Sequence, residues 1–258
     1  MDDVISPEPF AIDTGQAFFK TEGDSVTLYI NDWPSSQWYG SRPDVLEFEY
    51  MNWMVAAAEV AFPKSERLSC LHLGAGACAL PRTLAHLWPR SRHLAVEVDA
   101  KLAAVVRARV DLPRSPVLRV RVADAAVTLR GRPAGSHDLI LRDVFDDSGR
   151  TPGELTDLAA VEAARAALRP GGIYLANCGD QPGLPLARRE IKTLAEVFAY
   201  VAAIAEPGQW RGRRRGNVVL LGSDLPWTAK WERELARRLA AGFPARLLAG
   251  AEALAWAN

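Results

Sequence analysis

Hydrophobic and polar positions alternate early in the chain and then change period. Residues 17–20 and 26–30 are short β-rich runs separated by the turn-forming Glu22-Gly23-Asp24, a pattern that predicts a small β-hairpin. After Pro43 the apolar positions Leu46, Met51, Met54, Val55 and Ala58 fall on one helical face. Residues 45–61 are therefore expected to be helical, with Pro63 ending the segment.

From residue 68 onward short apolar runs and helical stripes take turns. Strands are expected at 68–73, 94–98, 117–122, 138–144 and 173–177, and helices at 80–87, 100–110 and 155–168, the last closed by Pro170-Gly171-Gly172. Repeated βα units of this length require a parallel sheet with helices on both faces. Further on, a helix is expected at 186–198, strands at 200–205 and 218–222 around an arginine-rich turn, and helix over 227–256 broken at 242–244. The fold class is α/β: a doubly wound, mostly parallel sheet with a small N-terminal β-module. Three parts are expected: a hairpin module and connecting helix over 1–62, an α/β domain over 63–226, and a C-terminal helical extension over 227–258.

Composition narrows the function classes. With 258 residues, 49% of them hydrophobic, the chain can bury one large core and carry a small appendage. Its 31 basic residues balance 31 acidic ones, so no global field draws it to nucleic acid or an anionic membrane, and neither partner is expected. Cys70, Cys78 and Cys178 lack CxxC or Cys/His ligand spacing, which argues against a disulfide framework and against a metal site. The start, Met1-Asp2-Asp3-Val4, is acidic and has no basic segment followed by an apolar run; a cytoplasmic, non-membrane protein is expected.

The strand at 68–73 runs into Gly74, Ala75 and Gly76 and then a helix, which sets backbone N–H groups beside whatever lies at the strand's carboxyl edge. Alone, a G-x-G turn is a weak signal, because a glycine-eased turn without a ligand reads the same. Acidic residues at successive strand ends add weight. Glu97 holds the position that hydrogen-bonds ribose hydroxyls in such folds, while Asp99 suits the N-cap of the next helix. Asp124, followed by Ala125, closes the third strand and suits an adenine amino group, with a turn-forming role as the alternative. Asp143 stands at the tip of the fourth strand, with Asp146 and Asp147 in the loop after it, beside the expected ligand position. Clustered carboxylates there can bind an amine or act as a base, since mutual repulsion raises one pKa. A solvated acidic loop is the alternative, with Asp147 as the bystander.

Other residues have plainer readings. His72 is expected in the core, and His86 and His93, flanking Trp88-Pro89, as helix C-terminal caps. His137 has no serine in a nucleophile elbow to partner it, so a hydrolase triad is not supported. Cys78 begins a helix whose dipole would lower its thiol pKa, against a simple filler role. The run Arg211-Gly212-Arg213-Arg214-Arg215-Gly216 could grip phosphates but reads more simply as an exposed hairpin loop between two strands, whose charges could also steer an acidic partner. Trp33, Trp38 and Tyr39 could wall a cation or pack the N-terminal module onto the main domain.

Taken together these motifs resemble the spermidine synthase-like proteins, which place a small N-terminal β-module ahead of a methyltransferase-type domain. The resemblance is carried by Leu28-Tyr29-Ile30-Asn31-Asp32-Trp33-Pro34-Ser35-Ser36, Leu46-Glu47-Phe48-Glu49-Tyr50, Leu73-Gly74-Ala75-Gly76, Glu97-Val98-Asp99, Ala123-Asp124-Ala125 and Asp143-Val144-Phe145-Asp146. Arg169-Pro170-Gly171-Gly172 and Trp210-Arg211-Gly212-Arg213 continue it. It implies a class I S-adenosylmethionine-dependent methyltransferase-like Rossmann fold and a homodimer formed through the N-terminal module. The implied co-substrate is S-adenosylmethionine or its decarboxylated form, bound by Gly74, Ala75, Gly76, Glu97, Asp124 and Ala125 without a metal. Asp143 would act on an amine acceptor that Asp146 helps to hold, and the family reaction is aminopropyl transfer to putrescine in polyamine biosynthesis. Polyamine-forming members continue the glycine loop into an acidic residue, where this chain has Ala77. Aminopropyl transfer therefore stands beside two alternatives, methyl transfer from S-adenosylmethionine and a catalytically silent adenosyl-binding or scaffold role.

Overall fold

The computed structural model describes residues 8–146 and 149–258; the acidic start at Met1-Asp2-Asp3-Val4 and Asp147 lie outside the described residues. The first sheet is antiparallel and four-stranded, in the order β1 (Phe10–Ile12), β2 (Gly15–Glu22), β3 (Ser25–Ile30), β4 (Trp33–Tyr39). It exceeds the predicted hairpin because Asn31 and Asp32 adopt φ 49° and 66°, a left-handed two-residue turn that sends Trp33 straight back into a strand. Ile12, Ala17, Leu28 and Trp38 bury one face of this sheet. Helix α1 (Glu49–Ala61) follows, starting later than the periodicity suggested because Phe48 is still extended, at φ −77° and ψ 126°.

The second sheet has eight strands in the order β12-β10-β11-β9-β8-β5-β6-β7. These are β5 (Ser69–Leu73), β6 (Arg92–Glu97), β7 (Leu118–Val122), β8 (His137–Arg142), β9 (Leu168–Asp180), β10 (Tyr200–Ala205), β11 (Gly216–Ser223) and β12 (Arg246–Ala249). Strands β5 to β9 pair in parallel, while β11, β10 and β12 add an antiparallel edge. The helices are α2 (Ala79–Leu87), α3 (Ala100–Arg109), α4 (Ala125–Arg130), α5 (Leu158–Ala167), α6 (Pro185–Val197), α7 (Pro207–Trp210), α8 (Ala229–Ala241) and α9 (Ala251–Ala257). Side chains alternate across the sheet with period two: Leu139 and Leu141 join the core under α1, α2, α3 and α8, and Ile140 joins the one under α4, α5 and α6. Each of these three is fully buried, a contribution of roughly 1.5–3 kcal/mol apiece.

Three expectations need correction. Arg169-Pro170-Gly171-Gly172, read as a helix-closing turn, lies inside β9, and the register slips between His137 and Leu139 of β8 to accommodate it. The segment 227–256 breaks at Gly242 as expected, but helix does not resume directly: Arg246–Ala249 forms β12 against β10, a run too short and apolar for periodicity to separate strand from helix. Helix α4 was not predicted at all. Among the described residues no helix is long and apolar enough to cross a membrane.

The chain runs outward from β5 through β6 to β7 and then returns to β8 on the other flank of β5. The carboxyl ends of β5 and β8 thus diverge into crossovers of opposite direction, leaving a crevice there. Two contacts hold the first sheet over it. Asp99 caps α3 through Leu102 N–H (2.7 Å) while its other oxygen accepts from Thr14 N–H and Oγ1–H, both 2.8 Å. Arg82 of α2 donates to the carbonyls of Tyr39 and Gly40, at 2.7 and 2.9 Å.

Candidate functional site

A cavity of about 1250 Å³ opens at the crevice, walled by the carboxyl ends of β5, β6, β8 and β9, the first sheet and the start of α1. Every sequence-predicted site residue, Gly74, Ala75, Gly76, Glu97, Asp124, Ala125, Asp143 and Asp146, lines it.

The glycine turn is built by close approach. Gly74 has φ +86°, and a Cβ there would lie 2.0 Å from the Asp143 carbonyl oxygen, so only glycine lets β5 and β8 end side by side. At Gly76, φ +49°, a Cβ would meet Ser36 Oγ at 2.7 Å. The turn's N–H groups are spent within the protein. Ala75 and Gly76 donate to Glu97 Oε2 at 3.4 and 3.0 Å, and Ala77 donates to Ser36 Oγ at 3.1 Å. The turn therefore acts by orienting Glu97, which corrects the expectation of free amides facing a ligand.

Glu97 Oε1 also accepts from Asp99 N–H at 3.1 Å. Burial raises the Glu97 pKa, and these backbone donors oppose the shift by favouring the ionised form. A carboxylate has about four acceptor directions, so Glu97 keeps capacity toward the cavity. Asp124 is the N-cap of α4, accepting from Val127 N–H at 2.7 Å, so the turn-forming role set against adenine binding is present. Ala125 follows it as the first residue of that helix.

Asp143 is gripped from two directions. Its Oδ2 accepts from the Tyr50 hydroxyl at 2.8 Å, and its Oδ1 from Asn177 Nδ2 at 3.0 Å. Burial raises the Asp143 pKa, against the lowering by the bonds from Asn177 and Tyr50 and by the Arg142 charge. Desolvation, not repulsion within an acidic cluster, is thus the cause, which corrects the sequence argument. Asp146 is exposed and its Oδ1 accepts from Arg150 N–H at 3.2 Å, closing the loop on itself. Beneath Asp143, the buried Arg142 pairs with Glu190 at 2.7 Å and donates to the carbonyls of Leu155 (3.0 Å) and Asn177 (3.1 Å). This ties β8, β9 and α6 together under the site.

Sequence reasoning missed Asn177 and Asn217 as site residues, and it placed Glu49 and Tyr50 in a segment carrying the family resemblance without giving either a role. Glu49 and Asn217 are joined across the cavity wall, Asn217 Nδ2 to Glu49 Oε1 at 2.8 Å. Tyr50 had a signal, a polar tip on an otherwise apolar helix face, whereas Asn177 in a buried strand had the oddness of an amide among aliphatics.

The remaining candidates resolve on burial. Cys78 is buried with φ +60°, and burial followed by the Glu97 charge pushes its thiol up to about 12, so of the two readings the filler role holds and the dipole-lowered thiol does not. His72 is a core residue, bonded through Nε2 to His93 Nδ1 at 3.0 Å. His93 lies in β6 rather than capping a helix, and burial depresses its pKa to about 4. His137 meets Ser69 Oγ at 3.1 Å and Arg132 Nε at 3.1 Å. Trp38 packs edge-on against Phe19, while Trp33 is 66% exposed at the cavity with the Arg215 guanidinium 5.8 Å from its ring centre. The arginine-rich segment is not a simple hairpin loop, since α7 precedes it. Among the described residues no group of three or more His, Cys, Asp or Glu side chains is placed to hold a metal ion.

Sheet order, glycine turn and strand-end carboxylates define an α/β protein of the class I methyltransferase-like type. Solved structures agree. The chain is similar to a probable spermidine synthase from Corynebacterium glutamicum ATCC 13032, with 34% identity over 98% of this chain and 92% of that one, at a TM-score of 0.89. It therefore belongs to the spermidine synthase-like family. Human methyltransferase-like protein 13 in complex with SAH shares the fold at 22% identity, covering 75% of this chain and 91% of that one with a TM-score of 0.61. A spermidine synthase in complex with the transition-state analogue AdoDATO does so at 15% identity, 93% and 78% coverage and a TM-score of 0.59. No family model and no curated protein matches the sequence.

Proposed function

We propose that the protein is a transferase that uses an adenosyl-sulfonium donor, moving an aminopropyl group to a primary amine with Asp143 as the base. The observation that carries this reading is the Asp143 carboxylate, held by Tyr50 and Asn177 just past the carboxyl end of β8, where the Asp143 backbone packs against Gly74 at the end of β5. In this reading Glu97, fixed by three backbone N–H groups, is the partner for the ribose hydroxyls, and Asp124 and Ala125, in the wall of the same cavity, meet the adenine. The two relatives solved with SAH and AdoDATO support an adenosyl ligand for this crevice.

In the reaction the amine nitrogen attacks the carbon bonded to the sulfonium sulfur. A C–N bond forms, the C–S bond breaks, and its electron pair returns to sulfur, leaving neutral methylthioadenosine. The proton leaving nitrogen passes to Asp143. A carboxyl group whose pKa is raised by burial is the better base for this, because its proton affinity lies closer to what the transfer requires. Asn177 and the Tyr50 hydroxyl fix its orientation, and fixing the two reactants in one crevice supplies the proximity.

A second reading, methyl transfer, is favoured by one observation. Ala77 is fully buried and its N–H is taken by Ser36, so no carboxylate stands where polyamine-forming members engage the donor's ammonium. The test is incubation with decarboxylated S-adenosylmethionine and a panel of primary amines, with methylthioadenosine measured by chromatography. Amine-dependent release is expected; absence of turnover with every amine overturns aminopropyl transfer. Calorimetry then separates the readings, since tighter binding of S-adenosylhomocysteine than of methylthioadenosine favours methyl transfer.

A further inference from the structure

We infer that the acceptor is a diamino acid: an amine whose far end carries both an ammonium and a carboxylate, bound by Glu49 and Arg215 respectively. This rests on the transferase reading and specifies its acceptor. Among the other carboxylates of the wall, Asp180 and Glu49 differ in what they have left to give. Asp180 is spent on backbone, accepting from Gln181 N–H and Ala187 N–H, both at 2.8 Å. Glu49, at the first turn of α1, accepts only from Asn217 at 2.8 Å, and no basic side chain pairs with it among the described residues. A half-buried carboxylate held by a neutral amide and lacking a counter-ion is matched to a ligand cation.

Its neighbour in the chain, Tyr50, holds Asp143, so the cation at Glu49 and the reacting amine at Asp143 belong to one short molecule. Asn177, also in the wall, has a fully buried Oδ1 with no partner among the described residues, an acceptor that an amine N–H would satisfy.

Arg215 supplies the opposite sign. It lies two residues before Asn217, just ahead of the start of β11 at Gly216. Both line the cavity, and the Arg215 guanidinium stands 5.8 Å from the Trp33 ring centre. A plain diamine would meet this guanidinium with nothing to offer it. A carboxylate on the carbon bearing the far ammonium would engage Arg215 while that ammonium engages Glu49.

Ornithine and 1,4-diaminobutane differ only by that carboxylate. With decarboxylated S-adenosylmethionine as donor, kcat/KM for ornithine is expected to exceed that for 1,4-diaminobutane at least tenfold, and Arg215→Glu to cut this ratio at least tenfold. A preference for 1,4-diaminobutane, or a ratio unchanged in Arg215→Glu, overturns the inference while turnover itself leaves the transferase reading standing. If neither amine is turned over, calorimetry of ornithine against protein saturated with methylthioadenosine decides: binding that weakens in both Glu49→Gln and Arg215→Glu supports it, and no binding, or binding that either variant leaves unchanged, overturns it. Loss of S-adenosylhomocysteine affinity in Arg215→Glu would assign the guanidinium to the donor's carboxylate and also overturn it.

Discussion

The Tyr50 hydroxyl donates a 2.8 Å hydrogen bond to Oδ2 of Asp143, joining the first turn of α1 to the tip of β8. The bond favours ionised Asp143, against a burial that favours the neutral acid. Burial, followed by the Asp143 charge, raises the Tyr50 pKa well above its ordinary value, so the phenol stays a donor throughout the working range.

Tyr50→Phe removes that donor. Asp143 then ionises at higher pH, and the acid limb of the pH dependence of kcat/KM moves to the alkaline side. A hydrogen bond to a charged group is worth about 1.5–3 kcal/mol, so activity on that limb should fall about tenfold or more. The pH–rate profile checks this; an unmoved limb would mean the bond is not felt by the base.

Asp143→Asn separates catalysis from stability. A folded-state pKa raised above the ordinary 3.8 contributes stability that is present below that value and is lost as pH rises through the folded-state value. The variant is therefore expected to melt at higher temperature than the wild type at pH 7, with the gap closing as the pH approaches 4, while turnover is lost. Paired melting curves across that range test the sign.

Glu97→Gln keeps an oxygen for the backbone donors of Ala75 and Gly76 and removes the charge. Charge-assisted hydrogen bonds are roughly twice as strong as neutral ones, so methylthioadenosine should bind about tenfold more weakly. Titration calorimetry measures the ratio directly.

Gly74→Ala places a methyl 2.0 Å from the Asp143 carbonyl oxygen at φ +86°. Strain and clash together should cost more than about 2 kcal/mol, read from urea denaturation. Gly135→Ala is the useful contrast: φ is also positive, at +60°, but nothing lies within 4 Å of the added carbon, so its cost should be smaller.

Arg142→Met leaves Glu190 buried without its 2.7 Å partner, and should destabilise by about 3–5 kcal/mol. Arg142→Met with Glu190→Met should recover part of that loss, because no uncompensated charge then remains. Equal stabilities of the single and double variants would contradict this account of the pair.

The core of this architecture was legible because β-α alternation is written in apolar periodicity, and Leu139, Ile140 and Leu141 obey it to the residue. Carboxylates at strand ends were legible for a related reason: β6, β7 and β8 each deliver an acidic residue at or within two residues of their last position, to one edge of the sheet. What escaped depends on long-range pairing. Trp33 enters β4 only because Asn31 and Asp32 accept left-handed geometry, and β12 exists only because β10 offers an edge. Tyr50 and Asn177 are distant from Asp143 in the chain, and no local pattern announces that they converge on it. The cause of the Asp143 pKa shift was misjudged for the same reason, since burial is a property of the assembled fold.

The most direct test of the central claim sets the wild type beside Asp143→Asn in one assay, methylthioadenosine release from decarboxylated S-adenosylmethionine with an amine acceptor. The account predicts amine-dependent release by the wild type and a loss of at least about 100-fold in the variant, the scale of general-base catalysis, with methylthioadenosine affinity retained. Release that is equal in the two proteins, or absent from the wild type with every amine, would contradict it.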